Sequence, residues 1–365
     1  MKKTLLAAAL MTGFAGIAQA ETSVTLYGVL DTAVGYERIK ADGFKETKTG
    51  LFDGNQAGNR WGLKGTEDLG NGLRATFQLE SGFTLSDGEQ AQGGRLFGRH
   101  ATVGLAGDSW GQIDVGRQTT VGSRFFVDVH GQHWGSTGST LTFNAQDTNR
   151  MDNSVVYMTP NYSGFQFGVG YSFNASGSQE YKLSGVKDQN KGAFTTGLRY
   201  ANGPIAVALS YDQTRLPVAG SVVNPGTPAE YYSSMKNSNT WALSGSYDFE
   251  VVAVSLAFGQ DFDGRARNSY GDRFYDKNYD YNNYSIALAV PVGEGKLSAQ
   301  YGYKQTRKEA KRDAFQANQQ QYSIAYSYPL SKRTNVYAYG GYAKNYLNMD
   351  DVKRTHGAIG VRHQF

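Results

Sequence analysis

The stretch Leu73-Arg-Ala-Thr-Phe-Gln-Leu-Glu80 decides the fold. In an extended chain Leu73, Ala75, Phe77 and Leu79 fall on one face and Arg74, Thr76, Gln78 and Glu80 on the other. Two charges and two polar groups in one row do not suit the inside of a packed sandwich. Placed against lipid near the midplane, each charge would cost about 2–4 kcal/mol. The apolar row is therefore read as facing lipid and the polar row as facing water. Val24–Val34 repeats the design, with Val24, Leu26, Leu30 and Val34 against Thr25, Tyr27 and Asp31.

Outward from these strands the chain alternates between short and long breaks. Turn compositions rich in Gly, Asn, Asp or Pro stand at Leu69–Gly72, Gly107–Ser109, Asn161–Gly164, Asn202–Pro204, Asp248–Glu250, Pro291–Gly295 and Pro329–Arg333. Between them lie polar insertions at Glu37–Asn59, Gly82–Gly98, Thr119–Asp152, Asn174–Gly192, Thr214–Ser238, Asp261–Tyr281, Thr306–Gln319 and Ala343–Arg354. Seven turns and eight loops connect sixteen strands. An even count with short turns at one end and long loops at the other fits an all-β, closed antiparallel 16-stranded transmembrane β-barrel. Closure is required, because an open sheet edge in lipid leaves backbone groups unpaired at several kcal/mol each. The first strand is thus expected to pair with the last, His356–Phe365, whose terminal aromatic reads as an assembly signal.

Composition agrees. The 365 residues hold 46 Gly, 25 Tyr and 19 Phe but no Cys, which excludes disulfides and thiolate metal sites. Residues 1–20 carry Lys2 and Lys3, a short apolar run and Ala18-Gln19-Ala20, the pattern of a cleaved export signal. Residues 21–365 then form one barrel domain. Without the two lysines, 34 basic residues face 32 acidic ones, a net +2 that gives no reason to expect nucleic acid.

The longest insertion, about residues 119–152, is expected to fold inward as the third external loop and to narrow the lumen. Loops of this length usually carry function. It holds Arg124, Asp128, His130, His133 and Asp147, few acids for a loop facing several arginines. The chemistry of an enzyme is not found. No phosphate-binding loop exists, since Gly62–Gly65 lacks the required Lys-Ser/Thr ending. His130 and His133 have no third ligand nearby, so no metal or other cofactor is expected. Asp261–Gly264 resembles a calcium loop only faintly, with Arg265 and Arg267 where a cation would bind. Ser139, His133 and Asp128 sit in no nucleophile motif.

Several segments in order resemble the trimeric Gram-negative general-diffusion porins over essentially the whole mature sequence. They are Val24–Asp31 (VTLYGVLD), Asn59–Glu80 (NRWGLKGTEDLGNGLRATFQLE), Val115–Gln118 (VGRQ), Arg150–Tyr157 (RMDNSVVY) with Thr159–Gly164, and Tyr328–Tyr342 running to Phe365. The resemblance implies a homotrimer in the outer membrane, contact with lipid and lipopolysaccharide, and insertion by the barrel-assembly machinery through the last strand. It also implies passive diffusion of small hydrophilic solutes and ions. By motif it makes Arg60, Arg117 and Arg150 pore-lining, with Arg38 and Arg74 as further candidates. Few acids in the loop then imply a modest anion preference. Alternation sets Arg117 with Ile113 and Val115, so it lines the pore only if a bulge near Gly116 turns it inward; otherwise it faces lipid or a neighbouring subunit. The second loop, Gly82–Gly98, is the expected latch onto that neighbour, and Gly28 and Thr32 suit close contact between barrels.

Overall fold

The computed structural model describes residues 23–131, 142–143, 149–182, 184, 188–218, 221–223, 231–263, 265–267, 273–275, 280–307 and 317–365. The expected signal at 1–20, and with it His133 and Asp147, lies outside the described residues.

The first strands are β1 (Ser23–Ala41), β2 (Phe44–Asp53), β3 (Arg60–Gly70), β4 (Leu73–Gly82), β5 (His100–Gly107) and β6 (Gly111–Thr119). Helix α1 (Val121–His130) follows, then β7 (Arg150–Met158), β8 (Phe165–Ser172), β9 (Ala193–Asn202) and β10 (Ile205–Pro217). The other strands of the barrel are β11 (Met235–Asp248), β12 (Ala253–Phe262), β13 (Tyr281–Val292), β14 (Gly295–Thr306), β15 (Gln319–Pro329), β16 (Thr334–Lys344) and β17 (Lys353–Gln364). These seventeen segments form one sheet of antiparallel neighbours. They make sixteen staves, because β2 and β3 follow one another along the same side of β1. Thr32–Ala41 pairs with β2, and Ser23–Val29 with β3. β17 closes the ring against Val29–Lys40. Phe365 completes it, exchanging backbone hydrogen bonds of 3.0 and 3.2 Å with Gly28.

Alternation decides what each face meets. Val24, Leu26, Val34, Val103, Leu105, Val115, Leu209, Leu256, Ile324 and Ile359 are all exposed on the outward row, with Ile359 at 72%. No soluble fold would leave such a belt to water, and lipid is its solvent. The opposite row carries buried Asp31, Glu80, Asp114, Asp212, Asp261 and Arg354. Gly28, on the outward row, also lies against the end of the chain. A Cβ there would stand 2.3 Å from the Phe365 ring, so the glycine makes the seat for the terminal aromatic.

Two of the long insertions carry regular structure. The first long loop, Glu37–Asn59, is mostly a strand hairpin, β1 and β2 extended to a two-residue turn, with only residues 54–59 departing from the ladder. The described part of the third insertion begins with a helix, α1. Thr120 caps α1, accepting the Ser123 N–H at 3.1 Å, and apolar Val121, Phe125, Phe126 and Val129 share its buried side. The strands also reach further into this insertion than expected, so that Thr119 belongs to β6 and Arg150 and Asp152 to β7.

α1 lies on the inner wall. Val121, Phe125 and Val129 pack with Met151, Val156, Ala193 and Ala208, and Phe126 with Phe143, Ala242 and Ala257. Each fully buried Phe contributes about 1.5–3 kcal/mol. The wall makes room with small side chains: at Gly197 a Cβ would come within 2.8 Å of the Phe125 ring. Polar ties fix the helix start, Thr120 Oγ1 donating to Asp212 at 2.8 Å and Gly122 N–H to Thr195 Oγ1 at 3.0 Å.

Candidate functional site

Arg60 and Glu80, on the inward rows of β3 and β4, and Arg99, just before β5, form a basic cluster. Glu80 is its hub. Arg99 Nε donates to Glu80 Oε1 at 2.7 Å, and Arg60 Nε lies 3.6 Å from Oε2. The Tyr27 hydroxyl donates to the same carboxylate at 2.9 Å, and Gln78 donates to that hydroxyl at 2.6 Å. Arg150, on β7, lies within charge–charge range of Arg99, Arg117, Glu80 and Arg60. Two guanidinium groups on one carboxylate, with a third in charge range, leave a positive excess.

α1 brings Arg124 toward the same space. Its Nη2 donates to Gln118 Oε1 at 2.8 Å. Below it the inner wall encloses a hollow of about 520 Å³ bordered by Lys64, Gln78, His100, Asp114, Arg124 and Gln166, among others. Burial lowers the Arg124 pKa, offset in part by Asp114 and Asp128, and the guanidinium stays charged at neutral pH. Asp128 is an exposed residue of the helix, 3.8 Å from Arg199 on the inward row of β9. Burial raises its carboxyl above the usual range, with Arg199 and Arg124 opposing.

The other expected residues separate. Arg74 is on the inward row but at the short-turn end, bound to Asp108 at 2.6 Å. His130 is fully buried against the wall, Nε2 lying 3.1 Å from Ser285 Oγ, and is shielded from the lumen. Arg38 stands on the outward row with Val34 and Tyr36, paired with Thr47 and Thr355, so it does not line the lumen. Its parity along an unbroken β1 leaves no other direction.

Arg117 also stays outward. A register irregularity does occur beside Gly116, but its extra residue is in β7, where Asp152 and Asn153 together oppose Arg117. Arg117 therefore keeps the parity of Val115. Its Nη1 pairs with Asp152 at 2.5 Å, and Arg95 of the second loop grips both oxygens of that carboxylate at 2.8 Å. Arg117 Nε donates to the Gly98 carbonyl at 2.8 Å, and the Gly177 N–H to Asp152 Oδ2 at 2.6 Å. This hub ties the second and fourth loops to the barrel rim, so within one chain the second loop is held to its own barrel.

Sequence reading missed Arg99, Arg199, Lys64 and Arg362 as inward cations. Alternation alone places Lys64, Arg199 and Arg362 on the polar rows of β3, β9 and β17. Arg99 precedes its strand, and only the Glu80 contact reveals it.

A closed sixteen-stave ring, an apolar belt outside, a charged wall inside and a helix lodged against that wall point to one family. The profile described as Gram-negative porin matches residues 6–346. The chain belongs to the Gram-negative porin family. This porin is 44% identical to an outer membrane porin protein of Bordetella pertussis, across the whole of both chains. It is 30% identical to outer membrane porin protein 32 of Delftia acidovorans, covering 94% of this chain and 90% of that one. Among solved structures, an anion-selective porin from Comamonas acidovorans superimposes with a TM-score of 0.73 at 26% identity, covering 94% of this chain and 100% of the other. The porin is a protein of the bacterial outer membrane.

Proposed function

We propose that this porin forms a water-filled channel for passive diffusion of small hydrophilic solutes and ions, with a modest preference for anions. Aperture sets the size limit and the charged wall biases entry; no bond is made or broken. The observation that carries the reading is the placement of charge. Arg60 and Arg99 share a single carboxylate, Glu80, on the wall that α1 leaves free; Arg150 lies within charge range of both, and Arg124 adds a fourth cation from the helix. The anion-selective neighbour at 26% identity supports the same sign. The insertion around 119–152 is the constriction loop, and Arg60 and Arg150 are its basic counterparts.

Three copies assemble, as the resemblance to trimeric porins implies, with lipopolysaccharide and lipid around them. Residues 1–20 are removed on export, and the strand ending in Phe365 is the handle for assembly. Refolded protein in a planar bilayer tests the reading. Zero-current potentials across a tenfold salt gradient should have the sign of anion preference, and clear cation preference would refute it. Chemical cross-linking and unheated gel mobility test the trimer.

A further inference from the structure

The departure from the ladder between β2 and β3 is a second inward element. Gly54, at φ +66°, turns the chain off the line of β2. Residues 54–59 then fold onto inward-row side chains instead of running outside. Gly54 N–H donates to the Asp31 carbonyl at 2.8 Å. The Gln56 and Ala57 N–H groups both donate to Asp31 Oδ2 at 2.6 Å, and the Tyr337 hydroxyl donates to Oδ1. Asn55 is held between Tyr337 at 3.2 Å and Tyr339 at 2.6 Å. A fully buried carboxylate that takes two backbone N–H groups and a phenol is an anchor for this knob.

The knob's tip reaches the basic cluster. Gly58 is exposed, its carbonyl accepts Arg60 Nη1 at 2.9 Å, and a Cβ on it would stand 3.4 Å from Arg99 Nη1. Its position in the ring is opposite α1. The helix is tied to β10, the ninth stave, and the knob to Asp31 on the first, eight staves away in a ring of sixteen. Depth agrees as well. Counted from the short-turn ends, Thr195 and Asp212 are seven residues up their strands, and so is Glu80. Equal counts on strands of common tilt lie at about the same depth.

We propose that residues 54–59, anchored by Asp31, form the second jaw of the constriction and set the positions of the Arg60 and Arg99 guanidinium groups, making Arg99 a selectivity residue and Asp31 a positioning residue. The proposal rests on the channel reading above and adds to it. A helix on one wall alone narrows the lumen from one side. Two facing elements make an eyelet whose free edge is backbone and arginine.

The absence of cysteine makes the test direct. Gly58→Cys in planar bilayers is treated with an anionic and a cationic thiol reagent of similar size, and the modification is verified by mass. Both reagents should cut single-channel conductance in steps. The anionic one should lower the anion-to-cation permeability ratio and the cationic one should raise it. Full modification with neither change overturns the second jaw. Asp31→Asn, shown folded by gel mobility, should conduct more and select less; unchanged conductance and reversal potential overturn the anchoring role. If the unmodified channel lacks anion preference, the functional reading fails, while conductance loss on modification tests the jaw independently.

Discussion

Arg60→Gln should weaken anion preference by an amount set by distance and salt. Arg60 is partly exposed, its side chain at 22%, and faces water on the inner wall. An anion passing about 6 Å from the guanidinium gains ~0.7 kcal/mol in a water-like dielectric and a cation loses as much, so the charge is worth ~1.4 kcal/mol, about tenfold, in the permeability ratio before screening. At 0.1 M salt the Debye length of about 10 Å leaves roughly half of that energy, about fourfold in the ratio. At 1 M the length falls to about 3 Å and the effect to roughly 1.4-fold. Removing Arg60 does not strip Glu80 bare, because Arg99 Nε stays 2.7 Å from Oε1. The net change is therefore the loss of one positive charge. Reversal potentials of wild type and variant, each measured in gradients centred near 0.1 M and near 1 M, give the comparison. A folded variant with an unchanged ratio at the lower salt, or with equal shifts at both, would refute electrostatic selection at this wall.

Three further outcomes are expected. Because burial raises the Asp128 carboxyl, this group takes up a proton at higher pH than an ordinary carboxylate, so anion preference should begin to strengthen before ordinary carboxylates titrate as pH falls; Asp128→Asn should remove that step from a series of reversal potentials. Gly28→Leu would drive a side chain into the Phe365 ring, where even a Cβ stands 2.3 Å away, and overpacking of about 1–3 kcal/mol should lower the temperature at which the folded band is lost on gels. Asp152→Ala deprives Arg95 and Arg117 of a shared carboxylate at a cost of about 1–3 kcal/mol and should free the second loop, read as faster protease cleavage within residues 83–99 while bilayer conductance holds.

How much was legible follows from the range over which each feature is determined. Side-chain alternation is local, so β4 alone revealed a wet face and a lipid face, and the turn rhythm gave sixteen staves. The same rule already spoke against Arg38 and Arg117; motif resemblance suggested them, and parity prevails because β1 is unbroken and the irregularity beside Gly116 adds its residue to β7. α1 was written in Val121, Phe125 and Val129 at four-residue spacing, matched by the small inward residues Ala193, Gly197, Ala208, Ala242 and Ala257 where other staves carry polar groups. Two periodicities on separate strands had to be compared before either signalled a helix. The knob had no such local mark. Its anchor joins Asp31 to Tyr337, 306 positions apart, and its geometry exists only once the last staves close on the first. Thus the barrel follows from rules acting over two residues, whereas the proposed eyelet depends on contacts that ring closure alone creates. A change that leaves alternation intact but loosens closure, such as the one at Gly28, should therefore disturb selectivity before it abolishes the channel.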